Sequence, residues 1–152
     1  MSIGIANRCP ATRPDRAALA RLIRGVLRRT GRPGVDVTLV LARDAELREL
    51  NRRFRRLDRT TDVLSFEPGP GETPDDSMPG EIYVSMDRVA VQAPRYRHTA
   101  QQELARLVIH GTLHVLGHDH HREPDRSRMR RLERECAREL APRGLVLFRT
   151  RS

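Results

Sequence analysis

Apolar residues recur along this chain at two periods, and each change of period marks out an element. Ile3 and Ile5 alternate with small residues, which predicts a short first strand. Leu19, Leu22, Ile23, Val26 and Leu27 fall at helical spacing within residues 15–29. Gly31, Pro33 and Gly34 break that pattern. Val35, Val37, Leu39 and Leu41 then alternate strictly, as in a strand with one buried face. Asp44 is a candidate N-cap for a helix carrying Leu47, Leu50 and Phe54 on one stripe. Residues 62–66 and 81–85 read as two further strands. Between them, residues 67–80 hold four prolines and three glycines, so a long loop is expected, of a kind that is often functional.

A capped helix is predicted from Thr99 to Leu116. Gln101, Gln102, Glu103 and Arg106 give its first half a face toward water, and its second half is apolar nearly all round. The last helix, about 124–141, places Pro124 in its first turn and aligns Met129, Leu132, Cys136 and Leu140, which makes Cys136 a core residue. The order β-α-β-α-β-β-α-α predicts an α+β fold, a small mixed β-sheet packed with helices, as a single domain over residues 1–152.

Composition narrows the class. The most apolar stretch, Leu107 to Leu116, is too short to span a bilayer, and the first ten residues lack the apolar centre of a signal peptide. A soluble, cytoplasmic protein with no membrane partner is expected. The formal net charge is +9, which suggests a polyanionic partner, most simply nucleic acid. All basic residues are arginine, a bias that GC-rich codon usage explains. Cys9 and Cys136 stand far apart, in neither a zinc-knuckle nor a redox pattern.

The chemistry concentrates in HGTLHVLGHDH, His110 to His120. His110 and His114 lie one turn apart on one helix face. Gly117 can take the left-handed conformation that ends a helix, so the chain can fold back and bring His120 to the same point. Three imidazoles leave a fourth tetrahedral position open, as in catalytic zinc sites, and leave the ion's charge undiminished to lower the pKa of bound water toward roughly 7. His118 and His121 fall out of register and read as loop residues, and His98 as a surface residue. Asp119 either orients a ligand ring or is a turn carboxylate.

The spacing H-x3-H-x5-H is that of metzincin peptidases, which require a glutamate directly after the first histidine as general base. Here that residue is Gly111, so peptide hydrolysis lacks its proton carrier. A phosphodiester substrate asks instead for positive charge beside the metal, and arginine meets phosphate oxygens in pairs. Arg52, Arg53, Arg55, Arg56 and Arg59 supply that charge within Asn51–Phe66.

LNRRFRRLDRTTDVLSF resembles the LNxxYRxxDxPTDVLSF segment of the YbeY family, bacterial endoribonucleases known as rRNA maturation factors. GEIYVS, Gly80 to Ser85, is similar to that family's GDIxIS strand, and HGTLHVLGHDH to its HGxLHLxGYDH signature. The resemblance implies a zincin-like domain with one Zn2+ held by His110, His114 and His120, and Arg55 holding or polarising the scissile phosphate. It implies a single-stranded RNA substrate, and work in ribosomal RNA 3′-end maturation and quality control on ribosomal particles, with no small-molecule cofactor. Phe54, Thr60, Glu81 and His118 depart from the family pattern, and His118 is a possible competing metal ligand. The attacking group, water or the RNA 2′-hydroxyl, stays open, and no general base is evident; Glu103 shares the His110 stripe but two turns away. With only 3% aromatic residues, base stacking is not expected to be the main grip on RNA, which should rest on arginine–phosphate contacts and weaken steeply with salt. The alternatives are an RNA-binding assembly factor in which zinc only staples the fold, and a metallopeptidase.

Overall fold

The computed structural model describes residues 2–69 and 78–151. The elements run β1 (Ile3–Asn7), β2 (Thr12–Pro14), α1 (Arg16–Arg29), β3 (Val37–Ala42), α2 (Asp44–Arg55), β4 (Val63–Phe66), β5 (Gly80–Ser85), α3 (Met86–Arg95), α4 (Ala100–Val115), α5 (Asp125–Leu140) and β6 (Phe148–Thr150). The mixed sheet of an α+β fold is present. Its strand order is β1-β3-β5-β4, with β1, β3 and β5 parallel and β4 antiparallel on the edge beside β5. A second small sheet joins β2 to β6. Most of the loop expected over 67–80 lies outside the described residues; Gly69 and Met78 pair at its two ends.

Helix α4 lies at the centre of the larger core. Leu104, Leu107, Val108, Ile109 and Leu113 are fully buried against α1, α5 and the sheet residues Leu39, Leu41, Ile82 and Val84. Each such side chain contributes about 1.5–3 kcal/mol on burial, so α4 is anchored far more firmly than its own helix propensity would secure it. A smaller core lies on the opposite face of the sheet, where Val40, Ala42 and Leu64 pack beneath Leu47 of α2.

This second core corrects the reading of β3. It is buried on both faces, because it is a central parallel strand with α2 covering its second side. Asp44 is not a cap either. Its carboxylate accepts from the Ser85 hydroxyl, and the N-terminus of α2 is satisfied from another element, by Asp87 accepting from the Asp44 amide at 2.8 Å. That bond, with the Arg43 ion pair, lowers the Asp87 pKa. Cys136 and Met129 are buried, as their shared stripe requires.

Three elements exceed the expected order. Helix α3 is capped by Ser85 accepting from the Arg88 amide, and it buries Val89 and Ala93 one turn apart; Pro94 in its last turn disguises it in the sequence. Strands β2 and β6 are three residues each and exist only by pairing the two ends of the chain.

Candidate metal centre

The site begins with the way α4 starts and stops. Thr99 and Gln102 form a capping box at its N-terminus. At the other end Gly117 has φ +89, donates from its amide to His114 O at 2.9 Å, and is followed by His118 N donating to Leu113 O at 3.0 Å. These two bonds form a Schellman motif, which a residue with a Cβ would strain at position 117. The chain turns back there, and His120 arrives beside the rings that α4 presents.

The three imidazoles converge. Ring centroids of His110 and His114 are 4.6 Å apart, those of His114 and His120 4.8 Å, and those of His110 and His120 5.3 Å. One nitrogen from each lies within 4.8 Å of the others, so the cluster can hold a metal ion. His114 Nε2 faces His120 Nδ1 at 2.8 Å. Nitrogens at two corners of a tetrahedron around a zinc-sized ion stand about 3.3 Å apart, so this pair would open by about half an ångström to share one.

Protonation favours the same role. Burial, then the neighbouring His110 and His120, then Arg55, lower the His114 pKa to about 4. The ring is therefore neutral near pH 7, with a lone pair to offer. His120 is shifted down as well, first by burial and then by His121 and His110.

Glu133 of α5 completes the arrangement. Its Oε1 lies 3.0 Å from His110 Nδ1, so Nδ1 carries the proton and donates it, leaving Nε2 as the lone-pair nitrogen. The sequence reading missed this residue. The signal was present: Glu133 stands four residues after Met129 and three before Cys136, a carboxylate in the register of an otherwise buried stripe.

Asp119 and His121 form a second, more exposed group around His120, with ligand atoms within 4.8 Å of one another. Asp119 is the turn carboxylate: its Oδ1 accepts from the His121 amide at 2.9 Å, the main cause of its lowered pKa. His121 is exposed and its ring lies against that of His120. His118 is half-buried, its pKa lowered by that burial, and is not among the three converging rings. His98 is exposed, as expected.

Glu103 corrects the water-facing reading of early α4. It is fully buried, held by Arg106 and by Gln92 Nε2 at 3.1 Å. Gln92 also donates to Asp62, which lines the histidine cleft, so the buried carboxylate braces the cleft wall rather than entering it.

That cleft, about 710 Å³, is walled by α2, β4 and the turn after α4. Arg55 and Arg59 line it together with the three histidines, Asp62, Ser65 and Glu67. The remaining arginines of the basic segment go elsewhere: Arg52 pairs with Glu49, Arg53 lies over the Phe54 ring, and Arg56 ends α2 in a left-handed conformation. Asn51, buried at the end of α2, donates to Arg59 O at 3.0 Å and ties the following loop to the helix. Sequence reasoning did not single out Asp62 or Glu67, since neither matches a spacing rule.

Gly111, the residue standing where a metzincin peptidase has its glutamate, packs directly on the sheet. An added Cβ would lie 2.6 Å from Ile82 Cγ2 and 3.2 Å from Ser65 Oγ, whose hydroxyl donates to Gly111 O. A side chain there would have to displace the Ile82 methyl group, so the sheet crowds the position where a metzincin carries its base.

Comparison with known proteins agrees over nearly the whole chain. A family model described as Endoribonuclease YbeY matches residues 5–141. A protein of Solibacter usitatus named Endoribonuclease YbeY is 43% identical over 142 residues, covering 92% of this chain and 89% of its own. One of the same name from Myxococcus xanthus is 44% identical over 115 residues, and there this chain spans only 38% of the relative's length. The solution structure of TM1509 from Thermotoga maritima aligns with TM-score 0.57 and 28% identity over 90% of both chains.

Proposed function

The chain belongs to the YbeY endoribonuclease family, and on that premise we propose that residues 1–152 form one catalytic domain, a zinc-dependent endoribonuclease that cuts single-stranded RNA. Its setting is the cytoplasm, in 16S ribosomal RNA 3′-end maturation and quality control of ribosomal particles. Among the described residues no helix is long and apolar enough to cross a membrane.

The observation that carries this reading is the meeting of three imidazoles and two arginines in one cleft on a chain of net charge +9. His110, His114 and His120 hold one ion; an all-imidazole set with no carboxylate suits zinc. The ion, when bound, supplies Lewis-acid charge beside the scissile phosphate.

The chain's own residues do the rest. Neutral His114 binds without first losing a proton. Glu133 fixes the His110 tautomer. Arg55 holds the phosphate through its planar fork and offsets charge as the phosphorane-like transition state forms. Arg59 draws the flanking backbone into the cleft. Of the carboxylates lining that cleft, Asp62 is engaged by Gln92 and Asp119 by its own turn. Glu67 lines the cleft beside the histidines and has no ion pair or hydrogen bond among the described residues, so it is the carboxylate free there to take a proton from the attacking water or 2′-hydroxyl.

The test is cleavage of a single-stranded RNA oligomer by purified, metal-analysed protein. His114→Ala should lose both metal and cleavage. Arg55→Ala should keep its metal and fold and lose about 10²–10³-fold in rate. Unchanged cleavage by Arg55→Ala removes Arg55 from the mechanism; a zinc-loaded intact protein that cuts no RNA overturns the enzyme.

A further inference from the structure

Of the three phenylalanines and two tyrosines in the chain, Phe54, Phe66 and Tyr83 meet in one place. Phe54 and Phe66 stand edge to face at 5.5 Å, and Phe66 and Tyr83 at 6.0 Å. They line a pocket of about 360 Å³ with Leu50, Met78 and Glu81. Phe54 is 59% exposed and Met78 58%, although both border an apolar hollow. Arg53 lies over the Phe54 ring at 5.4 Å.

This pocket adjoins the histidine cleft. Glu67 lines both. On β4, Ser65 faces the histidines and Phe66 the aromatic pocket, following the alternation of a strand. At the end of α2, Phe54 lines the pocket and Arg55 the cleft, as chain neighbours with Cα atoms about 3.8 Å apart. A nucleotide whose phosphate rests on Arg55 therefore has an aromatic-lined recess beside it within reach of an adjoining base.

We propose that this recess is a nucleobase subsite, in which one unpaired base next to the cut bond packs against Phe54. The rim gives it a preference. Glu81 accepts from the Tyr83 hydroxyl through Oε2, and its Oε1 faces no other partner among the described residues. A carboxylate there accepts from the adjacent N–H groups of a guanine or from the amino group of a cytosine, and repels the two carbonyl oxygens of uracil. Guanine, with two neighbouring donors, fits best. This makes Phe54 and Glu81 specificity-determining residues and adds one stacked base to a grip that otherwise rests on arginine–phosphate contacts. The inference rests on the RNA-cleaving reading above.

The experiment uses the zinc-loaded full chain and a set of short single-stranded RNAs that share one cut site. In each, one position beside the cut carries guanine, cytosine, uracil or an abasic ribose, which keeps the phosphates and removes only the base. Removing the base at one of these positions should lower kcat/KM by about 5- to 150-fold. Phe54→Ala should lower the rate on the intact RNA by a similar factor and abolish the difference between intact and abasic substrates, while Phe54→Tyr restores it. Glu81→Gln should erase the guanine-over-uracil preference with cutting retained. If the wild type cuts the RNA but treats intact and abasic substrates alike at every position, the subsite is overturned and the nuclease stands. If the wild type cuts none of them, the underlying reading fails. If Phe54→Ala matches the wild type on naked RNA and fails only on ribosomal particles, the pocket binds protein and the nucleobase proposal is wrong.

Discussion

Glu133 offers the sharpest test of how the centre is built, because it touches a proposed metal-holding ring without joining the cluster itself. His110 and Glu133 are 20% and 24% exposed, so their 3.0 Å contact is mostly sheltered from water. An exposed pair of this kind would contribute about 0–1 kcal/mol. Here the carboxylate also fixes which nitrogen carries the proton, and loss of such a partner weakens metal binding about 10–100-fold, or about 1.4–2.8 kcal/mol. The two substitutions should divide that range. Glu133→Gln keeps an oxygen that accepts from Nδ1 but loses the charge, so about 10-fold is expected. Glu133→Ala frees the ring to rotate and exchange tautomers, so about 100-fold is expected. The assay is zinc affinity by chelator competition near neutral pH, with the fold of each variant checked by circular dichroism. A folded Glu133→Ala protein that binds zinc as tightly as the parent refutes the tautomer-fixing role. Equal loss in both variants would assign the effect to charge alone.

Other consequences follow from the same geometry. In metal-free protein, His114 titrates at about 4 when folded against an ordinary 6.5, so the unfolded chain binds more protons between those values. Its contribution is complete above pH 6.5 and is lost as pH falls through about 4, at most about 3 kcal/mol; urea unfolding across this range should show a slope that His114→Gln reduces, and an identical slope in both proteins would refute it. Gly111→Ala should destabilise the protein by about 1–3 kcal/mol through the clash with Ile82, less about 1 kcal/mol regained in helix propensity; a raised unfolding midpoint would show that the contact with the sheet is slack.

Much of this protein is written locally. The strict alternation around Leu39 and Leu41, the stripe of α1, the capping residues of Thr99 and the helix-stopping Gly117 are all near-neighbour signals, and each element they mark is present. The histidine spacing belongs to the same class: two residues one turn apart and a third after a glycine turn are brought together by one helix end, without help from distant chain. For that reason the spacing alone marks the triad. What escaped the sequence lies in contacts between remote segments. Glu133 reaches His110 across 23 positions, Asp87 satisfies the start of α2 across 43, and β2 finds β6 at the opposite end of the chain. Glu103 looked solvated because its sequence neighbours are polar, yet it is buried once α3 brings Gln92 to it. Periodicity shows which face of an element is apolar, but not which partner covers it. Backbone geometry within a turn or two is local chemistry, whereas the pairing of a buried charge or an edge strand depends on where the completed core places its counterpart.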